Sequence, residues 1–301
     1  MKGKIGFLTI LFVCISMGFV ISCGSNQATD SQGRSVISPG ERALAAIEVQ
    51  NVFSKHCYYH ENGLHRAEME DIWVKKDGEN AATAKWTQPM ALVEGYDNIW
   101  KYYVDSKETT LKRNLEAISQ VYPEIQNVPE NLGIGGEWAS HLQTTPIIEV
   151  AGDGKTAKGI WYSPGLSMSA TVTDGQVSKR GGTFWEKYAA DFANEDGEWK
   201  IWHIAMFYEN SPPGWNADTR SYETAGAGSR GGAMPAGGAR GGEARGARGA
   251  EQPGPRTQSA SDMPTFGPPP DPYQSWSPTK MPEIAPKFPE PYYTFSETFS
   301  Y

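Results

Sequence analysis

Between Gly182 and Asn210 apolar and polar positions alternate on both sides of a polar break, Asn194-Glu195-Asp196-Gly197. An Asp-Gly step between half-apolar runs is a strong hairpin signal, because these residues accept the positive φ that a tight turn requires. With Asp196 and Gly197 as the central turn residues, counting outward pairs Phe192 with Ile201, Ala190 with His203, Tyr188 with Ala205 and Glu186 with Phe207 on one face. Trp185, Asp191, Trp202, Ile204 and Met206 fall on the other. Neither face is plainly a solvent face, so both are expected to be covered. A three-residue turn with a glycine bulge would shift the register by one, and the pattern leaves that alternative open.

Upstream of this hairpin the hydrophobic period first reads as helix. Ser38-Pro39-Gly40-Glu41 is a capping-box pattern with Pro at the first helical position, which predicts a helix running to about Asn62, where Gly63 stops it. Val49, Val52, Phe53, His56 and His60 share one of its faces. A short second helix is expected over Leu64 to Trp73, then a turn over Lys75 to Ala81 and a short edge strand over Thr83 to Thr87. Ile99, Tyr102, Tyr103, Leu111, Leu115, Ile118 and Val121 predict a helix within Gly95 to Tyr122, broken near Ser106. After a loop over Pro123 to Gly136, strands are expected at Trp138 to Val150 and Ala157 to Tyr162 around Gly152-Asp153-Gly154. A further pair, Ser167 to Thr173 and Gln176 to Lys179, flanks Asp174-Gly175. Helices followed by antiparallel strands predict an α+β fold with the helices packed on one face of a curved sheet.

The two ends of the chain follow different rules. Lys2 and Lys4 precede an apolar run from Ile5 to Val20, and Val20-Ile21-Ser22-Cys23 is followed by Gly-Ser-Asn. This predicts a signal peptide over residues 1–22 that resembles bacterial lipoprotein signals, lipidation at Cys23 and a polar tether over 23–37, with the domain held on the membrane outside the cytoplasm. An uncleaved anchor is the alternative. The folded domain is expected over 38–210. From residue 211 the composition turns to Gly, Ala and Arg, which cannot bury enough surface to offset its ordering entropy, so 211–262 is expected to be a disordered, flexible linker. Residues 263–301 alternate Pro with aromatics, and so many rings predict a tail lying along a surface.

Charge and cysteine content narrow the function. A formal net charge of -8 argues against a nucleic-acid partner, and the Arg-Gly repeats of the linker read as solvated. Of the three cysteines, removal of the signal and lipidation leave Cys57 alone, so no internal disulfide is available to the mature domain. Cys57 is expected to act as a small buried hydrophobe. No phosphate loop, Ser-His-Asp order or dinucleotide fingerprint is visible.

Thr145-Pro146-Ile147-Ile148-Glu149-Val150-Ala151-Gly152-Asp153-Gly154, continuing to Trp161 and followed by Tyr188 to Trp202, resembles the SnoaL-like branch of the nuclear transport factor 2-like superfamily. The resemblance covers about residues 41 to 210. It implies a cone-shaped fold, in which three N-terminal helices close a strongly bent antiparallel sheet over a deep, mostly apolar pocket. Such cones host cyclases, dehydratases, isomerases and plain binding modules. The family's dehydratases work without a cofactor, using a tyrosine and an aspartate of the first helix and a histidine near the strand before the Thr-Pro-like step. Here Cys57 and Asn62 occupy the first-helix positions and cannot do that work. His141, five residues before Pro146, is the match that carries over, and Tyr58 or Tyr59 can take a hydroxyl role by a small shift.

The candidate catalytic residues are therefore His141, His203, Tyr59 and Asp191, with Asp191 or Glu186 holding a histidine ring. Trp161, Tyr188 and His60 are the candidate ligand-binding residues. Ordinary strand histidines bonded to backbone or water are the alternative. His56 and His60, one helical turn apart, could share a metal with His65 or His141, but the Cys and Glu patterns that strengthen such pairs are missing. No metal and no cofactor are expected. Two functions follow: a lyase or isomerase moving protons on a small aromatic or polycyclic hydroxylated compound, or a non-catalytic binding or accessory lipoprotein. Expected partners are a small apolar or aromatic molecule, the membrane through the lipid anchor, and a homodimer mate or a partner protein bound by the tail.

Overall fold

The computed structural model describes residues 28–89, 91–135, 137–209, 215–216, 221–222 and 279–301. Cys23 and the signal segment, most of the linker, and residues 263–278 of the tail lie outside the described residues. Among the described residues no helix is long and apolar enough to cross a membrane.

Helix α1 spans Pro39–Glu61. Its capping box is formed as expected: Glu41 N donates to Ser38 Oγ (3.2 Å), and Ser38 N donates to Glu41 Oε2 (2.7 Å). Gly63, at φ +67, ends it in a left-handed turn that folds the chain back into α2, His65–Asp71. The expected break in the third helical segment is a π-helical turn, Lys101–Asp105, between α3 (Tyr96–Trp100) and α4 (Ser106–Val121). Its wider winding brings Tyr102 and Tyr103 into the interior on consecutive residues, both buried.

Seven strands form one sheet: β1 Lys85–Gln88, β2 Ala91–Glu94, β3 Glu137–His141, β4 Thr144–Val150, β5 Thr156–Thr173, β6 Gln176–Glu195 and β7 Glu198–Tyr208. Their order is β2-β1-β7-β6-β5-β3, with β4 also paired to β5. All pairs are antiparallel except β1 with β7. The short strand expected at the sheet's edge, β1, is instead interior, held between β2 and β7. The strands expected separately over 157–162 and 167–173 are one strand, β5, and the strand expected over 176–179 is continuous with the first arm of the 182–210 hairpin as β6, giving a ribbon of 18 and 20 residues per strand. β4 pairs with the first half of β5 and β3 with the second, the handover falling between Tyr162 and Gly165. At Gly165 a Cβ would come within 2.1 Å of the Phe184 ring, so only glycine fits there.

The β6–β7 hairpin turns on Asp196 (φ 56) and Gly197 (φ 87), both left-handed as a two-residue turn demands. Phe192 pairs with Ile201, as counted from the sequence. The ladder then slips by one, so that Asp191 faces His203, Ala190 faces Ile204, Tyr188 faces Met206 and Glu186 faces Tyr208. The extra residue is Trp202. Its Nε1 donates to Thr83 Oγ1 (3.0 Å), and its ring packs on Phe295. One inserted residue moves every later side chain of the strand to the other face. His203 consequently leaves the side of Tyr188 and joins that of Asp191.

The concave face is closed by helices, with Phe53 of α1 packed among the rings of Trp161, Tyr188 and Phe192 (centroids 4.2, 5.8 and 6.0 Å). Val49, Met69, Ile72, Ile99 and Ile201 complete this core. The opposite face is covered by residues 279–301. Gly152 N and Asp153 N donate to the carbonyls of Tyr292 and Tyr293 (2.9 and 3.0 Å), and the Arg34 guanidinium lies 3.9 Å over the Tyr293 ring. Both faces of the hairpin are thus covered, the second by the aromatic end of the chain.

Candidate functional site

Four of the five histidines meet inside the sheet's concave face. Helix α1 supplies His56 and His60 on successive turns, and the Gly63 turn sets His65 against His60, ring centroids 5.1 Å apart. Strand β3 brings His141 edge-on to His60 at 4.7 Å. Behind them, α2 buries Glu68 completely. Glu68 Oε1 lies 2.7 Å from His56 Nδ1 and accepts from Trp73 Nε1 (3.4 Å), while Oε2 accepts from Tyr103 OH (2.9 Å). Tyr103 OH is also 2.5 Å from His60 Nδ1. Since the phenol proton goes to Glu68, His60 Nδ1 is the donor in that contact and its Nε2 keeps the lone pair.

The electrostatics follow from this burial. Burial pushes the Glu68 carboxyl up, but the His56 and His65 imidazoles beside it outweigh that and hold it down at about 2. Burial drives His60 well below the ordinary histidine value and lowers His65 as well, so both are neutral near pH 7. Tyr103 and Tyr188 are pushed well above the usual phenol value by burial, reinforced by the charges of Glu68 and Glu186 respectively. His141 Nδ1 stands 3.3 Å from Glu186 Oε2, yet the two are not aligned for a hydrogen bond, and both remain buried without a partner. A cavity of about 370 Å³ opens beside this cluster, with His60, His65, Tyr102, Lys107 and Ala139 in its wall. The wall is mostly apolar, as the family resemblance implied, with His60, His65 and Lys107 set into it.

Of the residues singled out in the sequence, His141, His60 and Tyr188 come together here, with Glu186 as the carboxylate beside a histidine. Trp161 lies deeper, its ring tilted against Phe53 and its Nε1 donating to Gln50 Oε1 (2.7 Å). Tyr59 points away from the cluster, its hydroxyl donating to Asp71 Oδ2 (2.8 Å) on a partly exposed edge. Asp191 lies on the other face of the sheet, as the alternation of β6 dictates, and the Trp202 bulge carries His203 to that side, 2.7 Å from it beneath the tail. Cys57 is a free thiol that burial pushes up to about 12, in keeping with a packing role. Glu68 and Tyr103 were not picked out. The one available signal was the spacing of Glu68 three residues after His65, which puts both on one side of a helix. Although no metal set was expected, one ligand atom from each of His60, His65 and Glu68 lies within 4.8 Å of the others.

A family model for the SnoaL-like domain matches residues 41–205. No curated protein matches the sequence. Among solved structures, the chain is similar to a candidate dehydratase of the NTF2-like family from Streptomyces avermitilis, at 13% identity and a TM-score of 0.39, covering 55% of this chain and 96% of that one. It is also similar to an NTF2-like superfamily protein from Salmonella enterica serovar Typhimurium (11% identity, TM-score 0.36, 55% and 92% covered). A third is the hexachlorocyclohexane dehydrochlorinase LinA-type3 from Novosphingobium barchaimii (15% identity, TM-score 0.36, 57% and 92% covered). No residue role is carried over from any of them.

Proposed function

From the premise that this chain belongs to the SnoaL-like domain family, we propose that its concave cavity is a proton-transfer site acting as a lyase or isomerase on a small hydroxylated aromatic or polycyclic compound. The observation that carries this reading is the His60–His141 contact beside the cavity, with a carboxylate behind each ring. In this reading His141, set against Glu186, takes the proton. His60, held by the Tyr103–Glu68 relay, binds the substrate oxygen. Tyr188 packs edge-on against His141, the ring centroids 6.2 Å apart, and holds that ring in place. Burial holds His60 well below the ordinary histidine value, so its Nε2 keeps a lone pair for the substrate near pH 7.

The test is a substrate panel of hydroxylated naphthalenes and related polycycles. His141→Ala should lower turnover by roughly 100- to 10,000-fold, the range for one positioned acid or base, with the far-UV circular dichroism spectrum unchanged. Turnover that survives His141→Ala excludes the mechanism. Binding across the panel without any turnover favours the second reading, a non-catalytic binding module, which the two partnerless buried atoms of the His141–Glu186 pair argue against.

The same proposal places the domain outside the cytoplasm, anchored by a lipid on Cys23, on the strength of the Lys2-Lys4, apolar-run and Ser22-Cys23-Gly24 pattern. Cys23→Ser should release the protein from membranes or leave it unprocessed. An unchanged mass in the membrane fraction would refute the anchor.

A further inference from the structure

The inner cluster also has the makings of a metal centre. His65 and Glu68 stand three residues apart on α2, the spacing that puts two ligands on one side of a helix. His60 reaches the same point from α1 across the Gly63 turn, and one ligand atom from each of the three lies within 4.8 Å of the others. Two imidazoles and one carboxylate form a donor set suited to a divalent first-row transition-metal ion.

Three further observations point to an ion rather than to packing. His65 Nδ1 is buried without a hydrogen-bond partner, and it stands 3.9 Å from Glu68 Oε2, too far to bond yet facing it. Bonds of about 2.0–2.2 Å from each atom to one metal would bring any pair to about 3.3 Å apart in a tetrahedral set, so this pair closes by about half an ångström and the widest of the three by up to about 1.5 Å. Among the described residues Glu68 meets His56, His65, Tyr103 and Trp73, and no lysine or arginine contacts its buried charge. Finally, the outer contacts that ligands of a metal require are already built. His56 and Trp73 hold Glu68 Oε1, and Tyr103 bridges Glu68 Oε2 to His60 Nδ1, fixing the His60 ring.

We propose that His60, His65 and Glu68 bind one divalent transition-metal ion, with zinc a suitable probe, at the wall of the 370 Å³ cavity. His60 and His65 both border that cavity, which leaves room for a further ligand from its side, as in zinc sites that keep an open position. The site goes beyond the proton-transfer reading: it shares His60 and Glu68 with that reading, leaves the His141–Glu186 pair outside the ligand set, and does not require it.

The experiment uses the untagged full chain, stripped with a chelator and then titrated with zinc alone by calorimetry, with metal content read by mass spectrometry. Cobalt in place of zinc should give the visible absorption of a nitrogen- and oxygen-ligated ion. The expected result is one equivalent bound, weakened at least about 100-fold by Glu68→Gln and by His60→Asn and unchanged by His203→Asn. Should Glu68→Gln fail to fold, His60→Asn carries the test, because that ring is partly exposed at the cavity wall. No zinc uptake, or uptake equal in the folded variants and the parent, overturns the site. Zinc uptake by protein that turns over no substrate upholds the metal site and ends the proton-transfer reading, whereas turnover by stripped protein that takes up no zinc does the reverse.

Discussion

The two faces of the β5–β6–β7 ribbon each set histidine against carboxylate, and they differ in how completely the polar atoms are paired. On the outer face Asp191 accepts from Lys158 Nζ (2.5 Å), Tyr301 N (2.9 Å) and Ser300 Oγ (3.3 Å), and lies 2.7 Å from His203 Nδ1. His203 Nε2 is 3.0 Å from the Thr83 carbonyl. Lys158 donates again to the Phe299 carbonyl and sits among the rings of Phe295, Phe299 and Tyr301 at 4.5–4.9 Å. On the inner face His56 Nε2, His65 Nδ1, His141 Nδ1 and Glu186 Oε2 are buried without partners. Each such atom costs about 1–3 kcal/mol. A network that closes on itself, as beneath the tail, holds the structure together. One that leaves polar atoms waiting beside a cavity is where an outside molecule completes the set.

The sharpest way to break this contrast is to open the closed side. Asp191→Ala strands Lys158, itself fully buried, without its counter-charge. It should cost about 3–5 kcal/mol, read as a shift in the urea midpoint, while leaving ligand binding in the cavity unchanged per folded molecule. A loss below about 1 kcal/mol would mean that the outer network is not structural.

Acid should show the charge of the inner cluster with a smaller effect. The folded Glu68 carboxyl sits at about 2 against an ordinary value of 4.5. The unfolded chain therefore takes up the proton first, and the stability this group contributes is complete above about 4.5 and is lost as pH falls toward 2. In stripped protein the stability gap between the parent and Glu68→Gln should shrink by about 2 kcal/mol between pH 5 and pH 3. A gap that stays constant over that range would show that Glu68 is not held ionised in the fold.

How far the sequence disclosed these two faces depended on whether the cause was local. The capping box at Ser38–Glu41, the Gly63 stop and the Asp196-Gly197 turn are set by residues within one turn of each other, and each formed as read. So did the helical face bearing Phe53, His56 and His60. The Trp202 bulge has no local signature, since its contacts come from Thr83, over 100 residues earlier, and from Phe295 in the tail. That single residue moves His203 away from His141 and Tyr188 and sets it beside Asp191, which the alternation of β6 already places on the face opposite Tyr188. β1 was read as an edge strand because its parallel partner, β7, lies over 100 residues away. Glu68 escaped notice because α2, seven residues long, is too short to display a period.

The most direct test of the division between the faces is a nitrogen-15 NMR titration of the five histidine rings with 2-naphthol as probe, on the full chain. The account predicts that the ring signals of His60, His65 and His141 move with a common dissociation constant while those of His203 stay fixed. Movement of His203 with the inner histidines unchanged, or no movement at all, would contradict it.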